Sequence, residues 1–364
     1  MTRNVALVAG SGGIVGRALM EQLALRKDWH AIGLSRRSQH SLSQGHQVRA
    51  DLADKQSLLA VADELKDVTH VFFTAYSQRA DLAEENEVNL NILRNLVDVL
   101  EAAAPRLKHI QLVHGSKWYG SHRGPYRTPA REDQIRHPMG IFYYAQQDML
   151  EARQAGKGWS WSTMRPHGIW GFAVNSQLNM MQAVAVYATV MKHMGMPLHF
   201  PGKRAAWEAL YQCTEADHLA RAMMWAATSP NGAKQAFNIT NGDFIRWKLA
   251  WPVIADWFDM EVGDVMTFDV GQFMSGKAGL WEEIRRKYGL LYSISELASF
   301  EAAISYMFMV EWDQMSALTK IQKAGWTEVI DTYEMIPRQF DRLAREKAIP
   351  GPPRQGRIIR STAA

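Results

Sequence analysis

Eleven tyrosines stand in the 364-residue chain, and none is followed four positions later by a lysine. At that spacing the two side chains share one helical face, and the ammonium readies the phenol to bind or protonate an oxygen. Tyr143 has Gln147 at the corresponding position, and Tyr144 has Asp148. A catalyst built on this tyrosine pair must take its cation from another segment. His114-Gly115-Ser116-Lys117-Trp118-Tyr119-Gly120, directly after an apolar run, offers Lys117 from a loop. Either Tyr143 or Tyr144 can supply the hydroxyl, with at least one of the two packing in the core. His114 and His167 fall near the same place and read as structural residues. The 12 histidines form no His-x-x-x-His pair with nearby acids, so no metal site is expected.

A second constellation lies at the start. The apolar run Val5–Ala9 leads into Gly10-Ser11-Gly12-Gly13-Ile14-Val15-Gly16, and a helical pattern follows. Glycines at 10, 13 and 16 permit a tight turn, backbone approach to a pyrophosphate, and close packing of helix on strand. The helix N-terminus then offers free amides to the phosphates. These features predict a dinucleotide site. The second apolar run ends in Leu34-Ser35-Arg36-Arg37, where a carboxylate would favour NAD. Two guanidiniums suit a 2′-phosphate instead, so NADPH/NADP+ is the expected cofactor. After the third run comes Ala50-Asp51-Leu52; Asp51 suits an adenine amino group, or else the helix starting near Asp54.

These residues need a frame. Apolar runs at Val5–Ala9, Ala31–Leu34, Gln47–Ala50, His70–Thr74, His109–Val113 and Trp161–Met164 read as buried strands. Helical patterns at Gly16–Leu25, Lys55–Leu65, Glu85–Ala103 and Phe142–Gln154 separate them. The alternation predicts an α/β fold with a Rossmann-type, doubly wound parallel sheet. Beyond Arg165 the reading is mostly helical: Leu178–His193, Ala216–Ala227, Ile245–Trp257, Ser295–Tyr306 and Val329–Lys347, with Phe237–Thr240 as a late strand. Pro337 is expected to break the last helix or start a new one. The predicted organisation is a cofactor domain over 1–169, rejoined by 211–244. A smaller, mostly helical substrate-binding part spans 170–210 and 245–350, and a loose tail spans 351–364.

Composition narrows the function. A net charge of +4, with no long basic run, gives no grip on nucleic acid. The most apolar helical stretch, Met180–Met191, is too short for a bilayer, so no membrane partner is expected. One cysteine, Cys213, makes no disulfide; with no signal peptide visible, the expected location is cytoplasmic. Thirteen tryptophans and 19 methionines either fill the core or line a broad apolar pocket, the first being favoured.

Several segments carry a family resemblance: Gly-Gly-Ile-Val-Gly at 12–16, Ser-Arg-Arg at 35–37, His-Gly-Ser-Lys-Trp-Tyr at 114–119 and Phe-Tyr-Tyr-x-Gln-x-Asp at 142–148. Trp161–Phe172, Phe200–Trp207, Ala236–Asp243 with Trp247-Lys248, and Trp281–Ile284 extend it to about Pro350. On these the chain resembles the progesterone 5β-reductase/iridoid synthase-like (PRISE) family of atypical extended short-chain dehydrogenases/reductases. The resemblance implies NADPH-dependent 1,4-reduction of a C=C bond next to a carbonyl, on a small hydrophobic substrate. It assigns the catalytic lysine to Lys117 and the tyrosine to Tyr143. It places cofactor contacts at Gly12, Gly13, Ile14, Val15, Arg36, Arg37, Asp51, Leu52, Thr74, Ala75, Ile169 and the stretch from Ser176. With Gly10, Gly16, Ser35, His114, Lys117 and Tyr143 these make up the candidate site. The chain departs from the family at Thr74-Ala75 (usually Thr-Trp), at His114–Lys117 (usually Thr-Gly-Arg-Lys) and at Gly120–Arg123 (usually Met-Gly-Pro-Phe). These departures border the substrate. The alternatives are an NADP-dependent carbonyl reductase and a non-catalytic NADP-binding regulator. A sugar-nucleotide epimerase or dehydratase is disfavoured by the missing Tyr-x-x-x-Lys and by the arginine pair. A homodimer is the assembly considered.

Overall fold

The computed structural model describes residues 3–36, 45–176 and 178–352. Arg37 and nearly all of the expected tail lie outside the described residues.

Seven strands form one parallel sheet: β1 (Asn4–Ala9), β2 (Trp29–Ser35), β3 (His46–Arg49), β4 (His70–Phe73), β5 (His109–Val113), β6 (Ser160–Pro166) and β7 (Gln235–Ile239). Their order is β7-β6-β5-β4-β1-β2-β3, so the expected doubly wound α/β sheet is present. The chain runs outward from β1 to β3, then crosses back to β4 and runs outward the other way. Between β1 and β4 the winding reverses, which opens a crevice beyond the C-terminal strand ends.

Alternation along β1 explains the two layers. Val5, Leu7 and Ala9 face a core completed by Leu93, Leu96, Val97 and Leu100 of the helix Leu82–Ala103. Ala6 and Val8 face the other side, against Leu19 and Leu23 of the helix Ile14–Ala24 and Leu219 and Met223 of Ala216–Thr228. Side chains of opposite parity point to opposite faces.

The C-terminal part has its own core. Met180–His193, the most completely buried helix, meets Trp247, Trp251, Trp281, Phe308 and Phe340 there. Phe200, Trp207, Trp247, Trp251 and Phe308 touch at ring separations of 4.6 to 6.5 Å. The tryptophans 170, 247, 251 and 281 are fully buried and fill this core. Arg17 joins the two parts through Glu346 at 3.0 Å, while pairing with Glu21 on its own helix.

Three sequence expectations need correction. Lys55–Leu65 is two short helices, Lys55–Leu59 and Ala62–Leu65, because only Leu58 and Leu65 are buried and no continuous apolar face holds one. Ser295–Tyr306 is split at Ala298, which is extended. Pro337 breaks nothing: Thr332–Arg345 runs through it, because Met335, Ile336, Phe340 and Leu343 bury one face and offset the lost hydrogen bond. Among the described residues no helix is long and apolar enough to cross a membrane, and no cluster of metal-ligating side chains occurs.

Candidate active site

All seven strands of the main sheet are parallel, so their exits share one edge. The described candidate residues follow the exits of β1 (Gly10–Gly16), β2 (Ser35, Arg36), β3 (Asp51, Leu52), β4 (Thr74, Ala75), β5 (His114–Lys117) and β6 (Ile169, Ser176). Tyr143 begins the helix Phe142–Gln154 beside them. A groove of about 600 Å³ lies at the other end of the sheet, around Arg3, His30 and His46, and holds no candidate residue.

The β1 exit separates two kinds of glycine. Gly10 has φ +89°, and a Cβ on it would lie 2.8 Å from Ala75 N. A Cβ on Gly16 would lie 2.2 Å from Gly10 O. Both are demanded by the protein's own backbone contacts. Gly13 is not: its Cβ would meet Gly10 O at an ordinary 3.5 Å. Gly13 caps the helix Ile14–Ala24 with no side-chain hydrogen bond, leaving the first amides without a side-chain acceptor. The Ser11 hydroxyl is buried without a partner. A glycine the fold does not need, beside uncapped amides, fits a pyrophosphate cradle. Thr74 steadies the turn by donating from Oγ1 to Ala9 O at 2.9 Å. Ile14 also approaches Gly171, 2.9 Å from where a Cβ there would stand, so the segment after Ile169 borders the same loop.

At the β2 exit Ser35 is half-buried and Arg36 is exposed. The Arg36 carbonyl accepts a hydrogen bond from Arg49 Nε at 3.2 Å. Arg49 ends β3 directly opposite Ser35, so a second guanidinium joins Arg36. The sequence reading missed it because the signal is cross-strand register, not chain proximity. Asp51 Oδ1 accepts from Ala53 N at 2.9 Å, and Asp54 caps the following helix through Gln56 N. Asp51 is therefore a turn residue at the strand end, Leu52 beside it is buried, and Ser176 is half-buried in the turn before Met180–His193.

At the β5 exit the two tyrosines sit in different surroundings. The Tyr144 hydroxyl donates to Trp118 O at 2.5 Å and accepts from His137 N at 2.8 Å, inside the protein. Tyr143 is half-buried, and a Cβ on Gly115 would lie 3.5 Å from its hydroxyl oxygen. Gly115 leads into the 3-10 turn Ser116–Tyr119, which carries Lys117. The Tyr143 hydroxyl thus adjoins the turn that presents the lysine. Phe142 N donates to Asn86 Oδ1 at 2.7 Å, which anchors the start of the Tyr143 helix.

Burial lowers the pKa of Lys117 from the ordinary lysine value, opposed by Glu85. Glu85 is committed elsewhere as well: its Oε2 accepts from Tyr76 Oη and Arg79 N, both at 3.0 Å. His114 is buried between the rings of Tyr143 and Trp118. His167 is also buried, packed edge-on against Tyr211, and burial pushes it down to about 4. Both imidazoles are neutral at pH 7.

The model of the PRISE-like Rossmann-fold domain matches residues 43–350. The chain belongs to that family. An (S)-8-oxocitronellyl enol synthase of Nepeta racemosa is 35% identical over 306 residues, covering 79% of this chain and 76% of its own. A 3-oxo-Δ4,5-steroid 5β-reductase of Arabidopsis thaliana is 34% identical over 300 residues, covering 77% and 76%. A short chain dehydrogenase of Penicillium aethiopicum is 28% identical, covering 95% and 99%. A UDP-glucose 4-epimerase from Thermotoga maritima superposes with TM-score 0.66 at 15% identity, covering 93% of this chain and 99% of that one, a likeness of fold alone. Membership of this family makes the chain an oxidoreductase of the PRISE type and implies a nicotinamide cofactor.

Proposed function

We propose that the protein is an NADPH-dependent ene-reductase acting on enones or enals. The observation that carries this is the meeting of the Tyr143 hydroxyl with the Gly115–Lys117 turn at the parallel strand ends. The preference for NADPH rests on Arg36, with Arg49 beside it, and on the lack of a carboxylate in the run Leu34-Ser35-Arg36-Arg37.

A bound reduced nicotinamide would supply hydride to the β-carbon of the substrate. The chain's own groups manage the charge that results. As the β-carbon is reduced, negative charge gathers on the carbonyl oxygen. The Tyr143 hydroxyl donates a hydrogen bond to that oxygen and stabilises the enolate, which then takes a proton from solvent at its α-carbon to give the saturated carbonyl. Lys117 places a cation behind it and favours the phenol as a strong donor. Gly12 to Val15 hold the pyrophosphate, and Thr74 and Ala75 close the turn above it. The names of the relatives fit this chemistry. Hydride added β to a carbonyl leaves an enol, and C5 of a 3-oxo-Δ4,5 steroid is such a β-carbon.

The test follows loss of NADPH absorbance with 2-cyclohexen-1-one, a linear enal dialdehyde and a Δ4-3-keto steroid. Turnover to a saturated carbonyl is expected, falling about 10²-fold or more in Tyr143→Phe, with a large loss also in Lys117→Met. The wild-type rate should fall on the alkaline side below the pH at which a free lysine titrates, because burial lowers the Lys117 pKa. An allylic alcohol product would move the reading to carbonyl reduction. Tight NADPH binding with no turnover would leave a cofactor-binding regulator.

A further inference from the structure

His114 takes no part in the chemistry above, yet it has the closest ring contact with Tyr143 after Phe142. It follows β5 and is 3% exposed. Its ring lies nearly parallel to that of Tyr143, at 4.6 Å and 23°. It also lies nearly parallel to the indole of Trp118, at 5.5 Å and 20°. The Arg165 guanidinium sits 3.7 Å from the centre of that indole. Phe142 meets Tyr143 edge-on at 4.5 Å, so the phenol is held by one ring edge and one ring face.

The far end of this stack is fixed. Arg165 is 2% exposed and donates to Tyr119 Oη at 3.0 Å and Gln147 Oε1 at 3.3 Å. Tyr119 in turn donates to Asn238 Oδ1 at 2.6 Å, on β7. Tyr144 meets Trp118 edge-on at 4.7 Å and bonds its carbonyl. The near end, Tyr143, is half-buried at the crevice.

The imidazole is buried among these groups, and Gln146 is its one hydrogen-bonding neighbour, favouring the charged form against burial. Burial, with Arg165 and Arg136 nearby, keeps it uncharged. The two aromatic rings it meets, Tyr143 and Trp118, both lie nearly parallel to it.

We propose that His114 is a positioning residue: a neutral aromatic plate that transmits the rigid Trp118–Arg165 end of the stack to Tyr143 and keeps the phenol hydroxyl at the Gly115–Lys117 turn. This rests on the reading of Tyr143 as the group at the substrate carbonyl. Aromatic faces in contact resist ring tilt, and a catalytic group displaced by about 1 Å can lose on the order of 10²-fold in rate.

The full-length protein is tested as wild type, His114→Ala and His114→Phe. Three readouts are taken: kcat and KM on an enone the wild type reduces, NADPH affinity by fluorescence, and the 19F signal of 3-fluorotyrosine at position 143. In His114→Ala, kcat should fall about tenfold or more, with KM and NADPH Kd within about twofold, and the 19F line should move or broaden. His114→Phe keeps the plate and should return kcat to within about threefold of wild type, with a single narrow 19F line. An alanine variant with unchanged kcat and 19F line would overturn the proposal. So would a phenylalanine variant as slow as alanine, which would assign the role to the ring nitrogens. If the wild type reduces no enone, the reductase reading fails, while the 19F comparison still decides whether His114 orders Tyr143.

Discussion

Gly10 and His114 each follow directly on a strand of the same sheet, β1 and β5, and the two turns are built by opposite means. At Gly10 the backbone itself makes the shape: φ is +89°, and backbone atoms of Ala75 occupy the place of a side chain. At His114 the shape comes from side chains, a file of rings ending in a buried guanidinium. At Gly10 and Gly16 this turn tolerates no added atom, because a carbonyl cannot move without its helix or strand. A side-chain-built turn tolerates replacement by another flat ring. The first arrangement suits a ligand that is the same in every turnover. The second leaves room for change in substrate.

The sharpest way to break this comparison is at the glycines. Gly16→Ala puts a Cβ 2.2 Å from Gly10 O, and a loss on the order of 3 kcal/mol or more in thermal or urea unfolding is expected. Gly13→Ala meets only ordinary contacts and should melt near wild type, while NADPH affinity drops about tenfold or more because the ligand needs that space. Equal melting losses in the two variants would remove the distinction between fold glycines and ligand glycines.

Acid should act on the sheet more broadly. Burial holds His70 and His167 at about 4 and His109 at about 3. The unfolded rings take up protons near 6.5, so the unfolded state binds more protons between pH 6.5 and about 4. Stability is therefore complete above pH 6.5 and falls as pH drops through that window, at up to about 1.4 kcal/mol per pH unit for each such ring. Urea midpoints at pH 7.0 and 4.5 measure this. His109→Gln should flatten the slope, and a slope unchanged by it would show that the sheet histidines do not set the acid limit.

Smaller effects are expected at the cofactor's outer end. Arg36→Ala should reduce the preference for NADPH over NADH about tenfold, read as the ratio of kcat/KM values. Arg49→Ala should cost only a few-fold, since its Nε bonds the Arg36 carbonyl and holds that turn. A larger loss at Arg49 would make it the principal phosphate ligand.

Much of this was legible before any coordinates. The strands were visible as short apolar runs, and Gly10–Gly16 as a glycine loop between strand and helix. Helix starts were less so: Leu82–Ala103 begins ahead of the expected Glu85 because Asp81 caps it through Glu84 N at 2.8 Å. Pro337 misled because its local penalty is real, and only the buried face of Thr332–Arg345 outweighs it. The choice between Tyr143 and Tyr144 was open because adjacent helical residues differ only in what surrounds them. The Trp118 carbonyl, 26 positions away, takes the Tyr144 hydroxyl.

By itself the sequence determined the element types, the parallel doubly wound sheet, the glycine loop and the family. These follow from periodicity and from glycine sterics, which act over a few residues. Tertiary structure alone decided that Arg49 stands beside Arg36, that Tyr144 is committed to the interior, and that His114 is clamped between Tyr143 and Trp118. Each of those depends on strand register or on side-chain packing between segments far apart in the chain, and no local pattern encodes such a meeting.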